Sequence, residues 1–200
     1  YPHFAQLPTG IGFGPEMIAH RHGSTAIAGI VYYAADQYPE EFQQNVLTGD
    51  VITNRLYRDR IATLGSTPVA EHESDFLVSD DPWFRPVDLE LGPDGSIYVA
   101  DFYNRIIGHY EVPLKHPDRD RERGRIWRIV YKDQLEQASR NASRSDWAEA
   151  SIGQLMADLG HTNLTVRMLA ANQLASRWQQ ASVDPLKEML RDPESNRFQR

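Results

Sequence analysis

The alternation of apolar and polar positions divides the chain into a strand-like first part and a helix-like last part. From Thr25 to Tyr33 the run TAIAGIVYY carries no charge, is rich in small and β-forming residues, and lies between His22-Gly23 and Ala35-Asp36. Such a run bounded by turn residues predicts a buried strand. The turn Pro39-Glu40-Glu41-Phe42 leads to a second strand at Asn45–Thr48, closed by Gly49-Asp50, and Asn54–Ile61 and Val69–Val78 predict a third and a fourth. The pattern then restarts at Arg85. Val87, Leu89 and Leu91 alternate with Asp88 and Glu90 before the turn Gly92-Pro93-Asp94-Gly95, and Ser96–Asp101 follows, which together predict a hairpin. The residue types of that turn are the ones a tight reversal demands, so we assign it to structure.

Two units of similar make-up stand in tandem. Each has a strand, a turn, a strand ending in Asp, and a strand with an Arg-apolar-aromatic-Arg signature: Arg55-Leu56-Tyr57-Arg58 in one, Arg125-Ile126-Trp127-Arg128 in the other. Repeated four-stranded antiparallel units of this size point to blades of a β-propeller, with a non-repeating antiparallel sandwich as the alternative. The match between the two signatures favours GRIWRIVY, Gly124–Tyr131, as third strand of the second unit; Asn104–Tyr110 is the competing choice.

After Asp133 the period changes. Ile152, Leu155, Met156 and Leu159 follow helical spacing, Ser151 precedes them and Gly160 is placed to end the helix. Asn163 can cap a second helix bearing Val166, Leu169, Ala170, Leu174 and Ala175 on one face, with Arg167, Asn172 and Arg177 toward water. A third is expected near Asp184-Pro185, with Asp as cap and Pro at the first position. Short antiparallel helices of this kind are units of α-solenoids. The fold class is thus mixed, β then α: propeller blades over residues 1–132, a polar junction over 133–150, and the start of HEAT-like helical repeats over 151–200. Met156, Met168, Met189, Trp147 and Trp178 fall at helical spacing and read as core.

Composition narrows the function classes. Apolar residues make up 40% and charged residues 24%, and no run reaches the roughly 20 apolar residues a membrane-spanning helix needs, so this segment carries no membrane insertion. A net charge of −7 argues against nucleic acid as a partner, because phosphate binding needs concentrated Lys and Arg. The basic cluster Arg119, Arg121, Arg123, Arg125 and Arg128 is interleaved with Asp118, Asp120 and Glu122, and reads as a salt-bridged loop. With no cysteine there are no disulfides, thiolate nucleophiles or thiolate metal sites in these residues. Residues Tyr1–Ile18 lack the basic start and apolar middle of a secretory signal and read like the interior of a longer chain.

In a four-stranded meander, the loop entering the inner strand and the loop joining the second to the third strand lie on one face. That brings His20, His22 and Asp50 of one unit to the same side as Arg85, Asp101 and Asn104 of the next. If GRIWRIVY is the third strand, the connection Phe102–Arg123 extends this rim and adds His109 and His116; in the other arrangement His116 moves to the opposite face. A His paired with an Asp can take a proton from a sugar hydroxyl, and Arg85 can stabilise developing negative charge. His20, His22, Asp101 and His109 are therefore the catalytic candidates, and Arg85, Asn104 and Asp50 the cofactor-binding ones. His20 and His22, with Asp50 or Asp101, are also a possible divalent-metal set of unassigned identity. Each has a plain alternative: Arg85 pairing with Asp81 or Asp88, Asp101 capping the following turn.

The stretch Phe84–Asp88 through Gly92–Asp101 resembles the last blade of glucose and sorbosone dehydrogenase-like propellers, and Ala28–Tyr33, Tyr38-Pro39 and Leu47–Asp50 resemble the blade before it. DFYNRIIGHYEVPLKHPDRDRERGRIWRIVYKD resembles large bacterial proteins described as membrane-bound dehydrogenases, in which the propeller is followed by HEAT-like repeats and often a c-type haem domain. The resemblance covers roughly Ala19–Arg191 and is most specific from Arg85 to Tyr131. It implies oxidation of a sugar or alcohol substrate, pyrroloquinoline quinone and calcium as cofactors, electron transfer to a haem domain elsewhere in the same parent chain, and a periplasmic or cell-surface location. Arg85 matches the second arginine of the family's Arg-x-Arg pattern. Trp83 stands at the first, and an uncharged residue near Ile52 stands where the family has its cofactor-binding lysine. The alternative is a propeller and solenoid module that binds glycans or protein partners without redox chemistry.

Overall fold

The computed structural model describes residues 26–108, 112–132 and 146–199. His20, His22 and His109 lie outside them, as does most of the expected junction. Antiparallel β-sheets come first and helices follow. The first sheet is a meander of β1 (Ile27–Tyr32), β2 (Asn45–Asp50), β3 (Arg55–Leu64) and β4 (Thr67–His72), with β5 (Leu77–Val78) also paired to β3. The second holds β6 (Pro86–Leu91), β7 (Ile97–Asp101) and β8 (Arg125–Ile129) in that order. GRIWRIVY thus provides the third strand of the second unit, and residues 104–108 are not a strand.

One strand boundary differs from expectation. The run Val69–Val78 forms two strands instead of one. β3 is long enough to take both: β4 pairs its far half, Asp59 to Leu64, and β5 its near half, Arg55 and Leu56. Between them the chain swings out at Ser74 and Asp75, where Arg58 donates to the Ser74 carbonyl and Arg55 to the Asp75 carboxylate at 2.7 Å.

The chain divides into two compact units. One holds β1 to β5, the start of β6, and Val99–Trp127. Its core includes Leu47, Leu56, Tyr57, Phe84, Leu89 and Val99. Gly49 lies so close to other backbone that a Cβ there would stand 2.6 Å from the Ala28 carbonyl oxygen and 2.7 Å from that of Pro86. Only glycine permits that approach.

The other unit holds Tyr33–Gln43, Glu90–Tyr98 and the chain from Arg128 onward. Its hairpin turns on Gly95 at φ +76, and Asp94 fixes the turn by accepting from the Ser96 N–H and hydroxyl at 3.1 and 3.0 Å. Arg128 pairs with the same carboxylate at 2.6 Å. Tyr33 and Tyr38 stack at 4.7 Å, and their hydroxyls donate to the carbonyls of Gly95 and Ile129.

Among the described residues this unit holds three α-helices: α1 (Ile152–Asp158), α2 (Leu164–Gln173) and α3 (Val183–Arg191). Ser151 and Gln154 form a capping box on α1, and the Asn163 side chain caps α2 through the Thr165 N–H at 2.8 Å. A π-helical turn, Leu174–Trp178, and a 3₁₀ turn, Gln179–Ser182, follow. Because that turn runs directly into α3, the helix starts at Val183, ahead of the expected Asp184-Pro185. Pro185 then falls in the first turn, where its missing N–H costs nothing, and Asp184 sits at the favourable positive end. Ala150, Leu155, Ala170 and Leu174 form the helical core, with Trp147, Met156 and Trp178 packed against it. Met168 is exposed rather than core. No helix among the described residues is long and apolar enough to cross a membrane.

The same unit ties the helices to the hairpin. The Leu164 N–H donates to the Ala34 carbonyl at 2.8 Å, the Asn163 amide to that of Gly92 at 2.8 Å, and the Thr165 hydroxyl to that of Leu91 at 2.6 Å. The Thr162 hydroxyl donates to Asp36 at 3.0 Å.

Candidate functional site

Asp50 and Asp101 end equivalent strands, β2 and β7, and do equivalent work. Asp50 is fully buried; one carboxylate oxygen accepts from the N–H groups of Ile52 and Thr53 at 2.8 and 3.1 Å, and the other from the Tyr57 hydroxyl at 2.8 Å. Asp101 is buried as well, with one oxygen accepting from the N–H groups of Arg85 and Tyr103, both at 2.8 Å, and the other from the Trp127 indole N–H at 3.0 Å. Tyr57 and Trp127 occupy the same place in the two Arg-apolar-aromatic-Arg signatures. Each carboxylate therefore caps the loop leaving its strand and pins the aromatic ring of the next strand. Burial, with the charge of Asp50 beside it, raises the Tyr57 hydroxyl above its ordinary range despite the opposing Thr53 hydrogen bond.

Arg85 stands at the entrance to β6. It spends three of its N–H groups on main-chain carbonyls: Asn104 at 3.0 Å, Val51 at 2.5 Å and Arg105 at 3.5 Å. The expected alternatives, Asp81 and Asp88, accept no hydrogen bond from it. Burial lowers its pKa, against the neighbouring charges of Asp101 and Asp81. Asn104 is buried, donates to the Asp120 carbonyl at 2.7 Å and accepts from the Ile106 N–H at 3.1 Å. Arg85, Asp101 and Asn104 thus form one knot at the loop ends, joined to the Asp50 loop through Val51. His116 accepts from the Asp118 N–H at 3.1 Å within the extended connection.

Beside this knot lies a feature that the candidate set did not include. Trp83 and Tyr103 have ring centroids 5.5 Å apart. The Arg125 guanidinium lies over the Tyr103 ring, 3.4 Å from its centroid, and 5.5 Å from that of Trp127. Tyr103 adopts φ +44, a left-handed conformation uncommon for a bulky side chain, and the Asp101 carboxylate holds it there. The Arg-apolar-aromatic-Arg signature marked two of these residues; nothing in the sequence announced that they face outward.

The described residues contain no group of three or more His, Asp or Glu side chains placed to hold a metal ion. Fit to a quinone can be judged from charge. A tricarboxylate cofactor needs several cationic partners, and of the three positions that the resemblance assigns to that task, Trp83 and the residue near Ile52 are uncharged and Arg85 is largely committed to carbonyls. The described residues do not fit that cofactor.

Among curated proteins and among solved structures, nothing matches the chain. The model of a family described as a domain of unknown function, DUF7133, matches residues 7–133, more than half of the chain, so the protein belongs to that family.

Proposed function

We propose that this chain is a recognition module, two blades of a β-propeller followed by the first helices of a HEAT-like array, and that the rim around Asp101 binds glycans without redox chemistry. Two observations support the architecture: the two meanders share an Asp-to-aromatic pin at equivalent positions, and short capped helices follow them. The observation that carries the function is how the polar candidates are used. Asp50, Asp101 and Asn104 are buried and committed to main-chain and aromatic donors, so they hold the rim in shape and have little left for proton transfer. What Asp101 holds at the surface is the Trp127 ring, with the half-buried Tyr103 beside it, and such rings stack on the apolar faces of sugars. Calorimetric titration of the full chain with neutral and acidic oligosaccharides tests this reading: saturable binding lost in Trp127→Ala supports it, and no binding to any member of the panel refutes it.

The second reading is a quinone-dependent sugar or alcohol dehydrogenase, passing electrons to a haem domain of the same parent at the cell surface or in the periplasm. Its support is the resemblance at Arg85, the one charged residue of the three cofactor-binding positions, and it requires the Arg85 guanidinium to leave the Asn104 and Val51 carbonyls that now hold it. Its test is titration of the full-length parent with pyrroloquinoline quinone and calcium, with dye-linked oxidation of a sugar panel. Binding and turnover that Arg85→Ala and Arg85→Lys both abolish in folded protein support it; neither binding nor turnover in the folded parent refutes it.

A further inference from the structure

We propose that Arg125 is an oxyanion-recognising residue and that the glycan bound at this rim is an acidic one, a uronate whose carboxylate meets the Arg125 guanidinium while its ring lies on the neighbouring aromatic side chains. This rests on the glycan reading above and narrows it to a ligand class.

Arginines in this region are almost all spent. Arg105 pairs with Asp118, Arg123 with Asp120 and Arg128 with Asp94, while Arg119 and Arg121 donate to carbonyls. Arg125 differs. Its guanidinium makes no hydrogen bond among the described residues, and its one ion-pair partner, Asp81, stands 3.9 Å away, beyond hydrogen-bonding range. Its twin in the first unit, Arg55, donates to Asp75 at 2.7 Å and to the Thr53 carbonyl at 3.4 Å. The same motif position is therefore closed by an acid in one unit and left open in the other.

Geometry gives that open guanidinium a use. The ring of Tyr103 supports its flat face, which uses the cation–π interaction and leaves the in-plane N–H edge free. That edge is the fork that pairs with a planar carboxylate through two parallel hydrogen bonds, a pairing lysine cannot reproduce. Asp101 fixes both flanking rings, Tyr103 through its N–H and Trp127 through its indole, so the fork is presented on a preset platform. Asp101 is accordingly a positioning residue here. Among the described residues Asp81 is the one acidic side chain placed against Arg125, and its charge competes with an incoming carboxylate.

The test is calorimetry of the full chain with trigalacturonate, its methyl ester and neutral galactotriose, on wild type, Arg125→Gln, Arg125→Lys and Asp81→Asn, with circular dichroism confirming the fold. The acid should bind about tenfold or more tightly than the ester or the neutral sugar, the scale of one charge-assisted hydrogen-bond pair. Arg125→Gln should erase that preference and Arg125→Lys recover only part of it. Asp81→Asn should tighten acid binding and leave neutral binding unchanged, an effect that a merely structural role for Arg125 would not produce. Equal binding of acid, ester and neutral sugar, or a preference that survives in Arg125→Gln, overturns the assignment and leaves glycan recognition standing. Failure of all three sugars to bind overturns both.

Discussion

Strands β3 and β8 carry the same four-residue signature, and in each the aromatic side chain donates to the Asp that ends the preceding strand. Their surroundings differ. In β3, Leu56 is 0% and Tyr57 3% exposed; in β8, Ile126 is 77% and Trp127 44% exposed. β3 has β4 and β5 along its other edge, whereas β8 is the last strand of its sheet among the described residues. The arginines follow suit. Arg55, Arg58 and Arg60 meet Asp75, Glu73 and Glu71 on that covering segment, while among the described residues Arg125 meets only the distant Asp81. One local sequence thus makes a closed structural pin where another strand covers it, and a presented ring and guanidinium where none does.

The sharpest way to break this comparison is to remove each carboxylate in turn. Asp50→Ala strands two loop N–H groups and leaves the buried Tyr57 hydroxyl with Thr53 alone, and should cost about 3–5 kcal/mol of stability. Asp101→Ala also frees two N–H groups, but the Trp127 indole can turn to water, so its cost should be smaller, about 2–3 kcal/mol, accompanied by loss of glycan binding. Urea unfolding of the two variants measures both; equal losses would mean that the pins are equivalent and the openness of β8 has no energetic consequence.

A milder version touches only the rings. Tyr57→Phe should cost about 1–2 kcal/mol because Asp50 loses a buried donor, and Trp127→Phe about 0.5–1 kcal/mol with a larger relative loss in binding. The reverse order would invert the reading of which pin is structural.

The smallest effect concerns pH. Burial pushes the Asp94 carboxyl up, but the Ser96 N–H, Arg128 and the Ser96 hydroxyl outweigh it, and its pKa lies below the ordinary carboxylate value. A depressed folded pKa means that Asp94 adds stability above its unfolded pKa and that this is lost as pH falls through the folded one. The melting temperature should therefore drop on acidification below the ordinary carboxylate range, by less in Asp94→Asn than in wild type. An unchanged acid slope in that variant would remove Asp94 from the account.

Much of the sheet architecture was legible because alternation and turn chemistry are local. β1, β2, β3, β6, β7 and β8 fall where the runs of apolar residues stand, and the Pro93-Asp94-Gly95 turn makes the hairpin its composition demands. The split of Val69–Val78 was not legible, since it depends on β3 being long enough to seat two partners. The start of α3 was hidden for a similar reason: the preceding 3₁₀ turn supplies the first helical geometry, so no capping side chain is needed. Of the candidate residues, Arg85, Asp101 and Asn104 stand in one knot, and the hydrogen bonds they make there were not legible in the sequence; His20, His22 and His109 lie outside the described residues. A carboxylate that caps a loop and one that takes a proton look alike in a sequence, and only the positions of the N–H groups around Asp101 tell them apart. Arg125 was visible as half of a repeated motif, but its unspent edge depends on an acid that the second unit lacks.

The hydrogen bonds that join α2 to the Gly92–Gly95 hairpin have a consequence for biosynthesis. Asn163 and Gly92 are 71 residues apart in the chain, and Thr162 and Asp36 are 126 apart. At roughly 5–20 residues per second, the hairpin leaves the ribosome about 4–14 s before the helix that completes it. During that interval the carbonyls of Leu91 and Gly92 face solvent or a chaperone in place of Asn163 and Thr165. The β-rich part of this unit therefore matures late, and its final locking waits on the helical segment.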